Sequence, residues 1–233
     1  MCSIIHCHIP IYKSYDRNFF KKWSREMVYV LGFLFADGNI IKSKRGTHFV
    51  AFYSADESLL QLIKTTLKSE HALSKRSSAT GDVFRLQIGS KCWFEDLCLL
   101  GLTPNKAKRM MLPDVPDKYF ADFVRGYFDG DGNVWVGHVH INRPTHTLTI
   151  QTTFTSGSFE FLEALRLRLQ RCGLSGGSLF RPKEANYGRL TFSKLDTLKI
   201  YRIMYNAPHR LYLERKKVVF EEFVNNCGRS SAG

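Results

Sequence analysis

Asp37 and Asp131 each end an apolar run and each precede Gly-Asn, in "GFLFADGNI" at 32–40 and "GYFDGDGNV" at 126–134. An aspartate closing a hydrophobic helix meets the negative end of the helix dipole, where an anion is disfavoured. Two such carboxylates about 4 Å apart would repel by about 4 kcal/mol at an effective dielectric of about 20. Stability alone would not select that pairing, whereas a cation between the two reverses its sign. A hard cation with few protein ligands and room for phosphate oxygens is magnesium chemistry. The pair is thus a candidate for holding a divalent ion against a DNA phosphate.

Two plainer readings compete. Asp-Gly and Gly-Asn favour hairpin turns and need no chemistry. Turn formation accounts for Gly38 and Gly132, but the acids recurring in matched contexts are left over. A calcium loop would use Asp129, Asp131 and Asn133 as its first, third and fifth positions. Its sixth would then be Val134 in place of Gly and its twelfth His140 in place of Glu, which excludes an ordinary EF-hand.

The elements that must position the acids are legible around them. Val28, Val30, Leu31, Phe33, Leu34 and Phe35 cover nearly the whole circumference of a helix, so that helix must be buried all round. Gly32 and Ala36, and Gly126 and Gly130, stand four apart and open one side of each motif helix to close backbone approach. Two such helices crossing side by side in one direction bring Asp37 and Asp131 together. After each motif the same order recurs: a β-rich stretch (39–53 and 133–154), a helical pattern (57–69 and 158–173), a second hairpin (72–88 and 178–192) and a further helix opened by Ser-Lys (90–91 and 193–194). The fold class is therefore α+β, with two pseudo-symmetric α-β-β-α-β-β-α repeats. The expected boundaries are an N-terminal extension at 1–23, a first half at 24–101, a linker at 102–117 holding three prolines, a second half at 118–226 and a tail at 227–233. A closing helix is expected over 211–226.

A formal charge of +13 and a pI near 9.6, with 44% hydrophobic and 24% charged residues, describe a folding chain whose first partner is a polyanion. No amphipathic basic helix near a terminus favours a membrane surface, and "MVYVLGFLFA" at 27–36 is too short to span one. The N-terminus lacks the order of a signal peptide, which predicts a chain that is not secreted and works in a reducing compartment, a bacterial cytoplasm or an organelle matrix. Six cysteines with no C-x-x-C then need not pair or bind zinc, and Cys2, His6, Cys7 and His8 match no common zinc spacing.

Read as nine positions, "VLGFLFADG" at 30–38 and "VRGYFDGDG" at 124–132 resemble the two signature motifs of single-chain LAGLIDADG homing endonucleases. The resemblance covers about residues 24–226, including the repeated element order and the linker. Phe35 departs from the usual acid at the sixth position, which the second copy keeps as Asp129, and Arg125 replaces a small second-position residue. The eighth-position acids are intact. The resemblance implies that Asp37 and Asp131, joined by the carbonyls of Ala36 and Gly130, hold Mg2+ at a site Mn2+ or Ca2+ can also occupy. It also implies a basic residue near the metal-bound water on the first strand of each second hairpin. Alignment of the halves puts the catalytic candidates Lys75 and Arg181 there, with Arg76 and Lys183 as neighbours. A solvated surface charge is the competing reading of each.

Sequence recognition is expected in the strands, because a twisted β-ribbon fits the major groove. By alternation Val134, Val136, His138, His140 and Asn142 share one face, with Trp135, Val139 and Ile141 on the other, while Thr147, Thr149, Gln151 and Thr153 oppose Leu148 and Ile150. The candidates for DNA contact are Lys42, Lys44, Arg45, His48, Arg76 and Arg85 from the first half, and His138, His140, Asn142, Arg143, Thr147, Thr149, Gln151, Lys183 and Arg189 from the second. The expected protein is a monomer that cuts a long asymmetric site in double-stranded DNA, and intron or intein homing is what the resemblance implies. The rival is a binder that keeps the fold without cleaving, an RNA maturase or transcription regulator. Retention of both aspartates favours the enzyme, and Phe35 leaves the rival room.

Overall fold

The computed structural model describes residues 13–79, 81–139, 147–208 and 210–229. His140, Asn142 and Arg143, and the Cys2, His6, Cys7, His8 group, lie outside them.

The first half runs α1 (Arg25–Asp37), β1 (Gly38–Lys42), β2 (His48–Ser54), α2 (Glu57–Thr66), β3 (Leu73–Ser78), β4 (Gly81–Gly89) and α3 (Lys91–Leu99). The second repeats it as α4 (Asp117–Asp131), β5 (Gly132–Val139), β6 (Thr147–Ser156), α5 (Phe159–Arg171), β7 (Ser178–Phe180), β8 (Gly188–Phe192) and α6 (Lys194–Tyr205). Each half holds one antiparallel four-stranded sheet, ordered β1-β2-β4-β3 and β5-β6-β8-β7. Serine caps start three of the helices: Ser24, Ser90 and Ser158 accept from the amides of Met27, Trp93 and Phe161.

The centre of the molecule is α1 against α4. Residues Met27 to Phe35 are all buried, as are Asp122 to Asp129, so both helices lie inside the core. Their approach is set by missing side chains. A Cβ at Gly32 would stand 2.3 Å from the carbonyl oxygen of Phe123, and one at Gly126 would stand 2.0 Å from that of Tyr29. Only glycine permits that contact. Contacts of Gly126 with Tyr29 and Phe33, then of Gly130 with Ala36 and Asp37, show that the helices run in the same direction. Gly38 and Gly132 end the helices with ordinary extended backbone, and a Cβ on either would strike Leu34 or Phe128. They are glycines for room, not for a left-handed turn.

Arg125, the unusual second-position residue, is buried and fully partnered. Its guanidinium meets Asp122 at 2.6 Å, the Met204 carbonyl at 2.7 Å and the Leu211 carbonyl at 2.9 Å. It ties α4 to the end of α6 and to the segment beyond. The closing helix, α7 (Glu214–Arg229), begins three residues later than expected. Leu211 and Leu213 are buried from a non-helical segment, and the Leu213 amide donates 2.8 Å to Asp129 Oδ2. Local helix periodicity loses there to a tertiary hydrogen bond. Arg215 then pairs with Asp56 at the start of α2, with Nη2 to Oδ2 at 2.9 Å, fastening the last helix to the first half.

Candidate active site

Asp37 and Asp131 close α1 and α4, and the parallel crossing brings these two ends together. A Cβ on Gly130 would stand 2.4 Å from the Ala36 methyl and 3.3 Å from Asp37 Oδ2, so the α4 end is flush with the first aspartate. Both carboxyls are part-buried. Burial raises Asp131 to about 6, and the neighbouring Asp37 pushes it further in the same direction, against Lys106 and Lys216. Asp37 is raised by burial and drawn back by the same two lysines. The two carboxyls are thus close enough for Asp37 to disfavour ionisation of Asp131.

Those lysines are the residues that sequence reasoning missed. Lys106, from a short 3-10 turn in the linker, donates its ammonium to the carbonyls of Leu34, Phe35 at 2.6 Å and Ala36 at 2.8 Å. Lys216, in the first turn of α7, donates to Phe128 at 2.7 Å, Asp129 at 2.8 Å, Gly130 at 3.1 Å and Gly132 at 2.7 Å. Carbonyls 34–36 and 128–130 are equivalent in the two copies. Each ammonium satisfies the orphan carbonyls at a helix C-terminus, where the dipole favours a cation. Burial nonetheless lowers Lys106 to about 7, with the two aspartates opposing, and lowers Lys216 to about 8, with Asp129 opposing first. Two part-buried acids and two amines, Lys216 buried and Lys106 part-buried, thus share one end of the helix pair.

Groups expected at the site have other partners in the structure. The carbonyls of Ala36 and Gly130, assigned above to a metal, accept hydrogen bonds from Lys106 and Lys216. Lys75 and Arg181 are not the cations acting on the aspartates. Lys75 is exposed, bound to Asp82 at 2.7 Å and placed over the Phe84 ring, while exposed Arg181 covers Phe159. Asp129 is also apart from the pair: it is buried, accepts 2.6 Å from the Tyr29 hydroxyl, and leaves Oδ1 without a partner among the described residues. Burial raises it to about 6. Its counterpart Phe35 lies in the aromatic core against Phe123 and Phe161.

Each sheet has one face covered by helices and one open. On the first, Ile40, Val50, Phe52, Leu86 and Ile88 are buried and pair with one another, so the residues that alternate with them, Asn39, Tyr53, Arg85 and Gln87, lie on the opposite face with the small, buried Ala51. Arg76, cross-strand from Val83, shares that open face with Arg85; with Tyr53, Ser74 and Ser78 they line a concavity of about 650 Å³. Lys42 and His48 pair with each other on the covered side, where His48 packs edge-on against Phe94 of α3. Lys44 and Arg45 are exposed in the turn between β1 and β2. On the second sheet Thr147, Thr149 and Gln151 face outward with Arg189, and Lys183 is exposed in the β7–β8 loop. His138 is a correction. It pairs with Leu148 and shares the side of Val136 and buried Ile150, whereas Trp135, cross-strand from Gln151, is the β5 residue on the open side.

No family model matches the chain. A curated relative, a probable translation initiation factor IF-2 of Thermococcus kodakarensis, is 34% identical over 102 residues, which is 42% of this chain. The match spans only 8% of that protein's length. Among solved structures, the LAGLIDADG meganuclease I-AabMI bound to uncleaved DNA aligns with a TM-score of 0.63 at 14% identity, over 90% of this chain and 92% of that one. The I-SmaMI LAGLIDADG homing endonuclease bound to cleaved DNA aligns at 0.59 and 14% identity, over 89% and 88%. I-SmaMI bound to uncleaved target with calcium ions aligns at 0.53 and 13%, over 79% and 85%. The chain has the LAGLIDADG homing endonuclease fold, with both motif copies in one polypeptide. Among the described residues no helix is long and apolar enough to cross a membrane.

Proposed function

We propose that this chain is a monomeric, site-specific DNA endonuclease that hydrolyses phosphodiesters in both strands of a long asymmetric duplex target. The observation that carries this reading is the convergence of Asp37 and Asp131 at one end of the central helix pair. Nothing in the fold's stability asks for two part-buried acids there.

The donor set fits a hard divalent cation. Among the described residues no three His, Cys, Asp or Glu side chains gather, so the protein would offer two carboxylates and leave the remaining positions to water and phosphate oxygens. That is the sparse, oxygen-only environment magnesium accepts, and Mn2+ or Ca2+ can share it. Bound there, the ion would supply an activated water and charge stabilisation at the phosphorus. Asp37 and Asp131 would hold and orient it. Lys106 and Lys216 keep positive charge beside the place where negative charge grows during cleavage, and being held by backbone carbonyls they need little reorganisation to act. An arriving phosphate adds an anion beside both amines and drives Lys106, lowered to about 7, back towards its charged form. The open faces meet the duplex: Arg76, Arg85 and Arg189 suit guanine edges, and Gln151 suits adenine. Lys44, Arg45 and Lys183 suit the phosphate backbone, which gives affinity without sequence preference.

The decisive experiment is selection of cleaved sites from a randomised DNA library with magnesium, beside Asp37→Asn and Asp131→Asn. Wild type should cut, and each variant should lose at least about 100-fold in cleavage while still binding DNA. Tight binding by all three with no cutting would instead establish a non-cleaving binder.

A further inference from the structure

We propose that Asp129 is a positioning residue for Lys216, and that the first half has no equivalent for Lys106. Asp129 is not one of the aspartate pair, yet it reaches the lysine beside that pair through a short chain of bonds. Its Oδ2 accepts the Leu213 amide at 2.8 Å and the Tyr29 hydroxyl at 2.6 Å. Leu213 is the residue whose carbonyl starts α7, accepting the amides of Lys216 at 3.1 Å and Lys217 at 3.2 Å. Fixing the Leu213 amide therefore fixes the first turn of α7, and that turn carries the Lys216 ammonium to four carbonyls between Phe128 and Gly132. Tyr29 orients the carboxylate from α1, and Arg215, paired with Asp56, holds the same turn from outside.

The equivalent position in the first copy is Phe35, which packs against Phe123 at 5.6 Å between ring centroids and offers no acceptor. Lys106 instead follows Asn105, a linker residue in left-handed conformation at φ 58°. The two site lysines are alike in what they touch and unlike in what holds them. The bearing of this on strand cleavage rests on the endonuclease reading above, whereas the placement of the ammonium does not.

The test is lysine-ammonium 15N NMR on the full chain at pH 6, below the values of about 7 and about 8 to which burial lowers the two amines. Slowly exchanging signals are assigned with Lys106→Met and Lys216→Met. Asp129→Ala should lose the Lys216 signal to fast exchange and keep that of Lys106, and Asp129→Asn, whose amide oxygen still accepts from Leu213, should restore it. An unchanged Lys216 signal in Asp129→Ala, or equal loss of both lysines, overturns the proposal. If the alanine variant does not fold, the wild-type Leu213 amide decides. Protection of about 100-fold supports the link, and exchange at the rate of a free loop amide refutes it. On a plasmid carrying the selected site, Asp129→Ala should accumulate nicked circles, with one strand cut about tenfold more slowly than the other. Equal slowing of both strands contradicts the asymmetry. A wild-type protein that cuts nothing would sink the endonuclease reading and leave the NMR result standing.

Discussion

Two equivalent pairs of positions in the central helices are filled by opposite chemistry. On one side Tyr29 donates its hydroxyl to buried Asp129 at 2.6 Å. On the other, the residues 94 positions later and earlier in the chain are Phe123 and Phe35, two rings meeting edge to face at 5.6 Å. The pseudo-twofold axis thus relates a hydrogen-bonded acid to an aromatic contact of similar size. The aspartates that define the site and the lysines that cap the helices are matched across the same axis. The lesson is that symmetry is kept where an ion and a phosphate would be handled, and relaxed just behind it, where one half holds an acid and the other a ring.

The comparison can be broken most severely by Phe35→Asp. A carboxylate would then sit against Phe123 and Phe161 with no donor, and urea unfolding should show a loss of about 4 kcal/mol or more. Adding Phe123→Tyr builds the missing hydroxyl, and the double variant should recover about 1 to 2 kcal/mol of that loss. Recovery of nothing would mean that Leu213, not Tyr29, is what makes Asp129 tolerable. Next in size, Gly32→Ala and Gly126→Ala should each cost about 3 kcal/mol by the same measurement, because both press a methyl onto backbone across the helix pair. A large difference between them would show that the crossing is less symmetric than its geometry.

A pH series sharpens the electrostatic side. The folded chain holds a proton on Asp131 up to about 6, above the ordinary carboxylate value, so ionising it works against the fold. Without divalent ions the wild type should lose stability as pH rises from about 4 through 6, by on the order of 2 kcal/mol relative to Asp131→Asn, which has no proton to release. Thermal unfolding of both proteins across that window measures it, and parallel curves would contradict the burial of Asp131. The smallest effect is expected at His138: its change to Ala should leave base preference untouched, whereas Gln151→Ala should relax preference at particular base pairs by about 1 kcal/mol. Binding measured against single-base variants of the selected site separates the two.

What could be read in advance was local. The acid after each apolar run, the glycines four apart and the order of strands and helices all sit within short windows, and each has a mechanism that works within its own window. The two lysines are different. Lys106 lies 70 residues beyond the Ala36 carbonyl it caps and Lys216 lies 86 beyond that of Gly130, so no periodicity links them. A weaker signal was available: "NKAK" and "ERKK" are basic clusters that each follow the last helix of a repeat. The strand alternation in β5 is local too, but which of its faces is covered depends on the partner strand, where buried Ile150 pairs with Val136. His138 follows them, and the open face belongs to Trp135.

The bidentate grip of Arg215 on Asp56 joins a helix at the far end of the chain to one near its beginning. Anyone shuffling halves between such proteins to build hybrid cutters would find that the natural seam is not at the proline-rich connector alone. A transplanted front module must arrive with an acid that the resident tail can grasp, or the graft will loosen at the very turn that delivers Lys216.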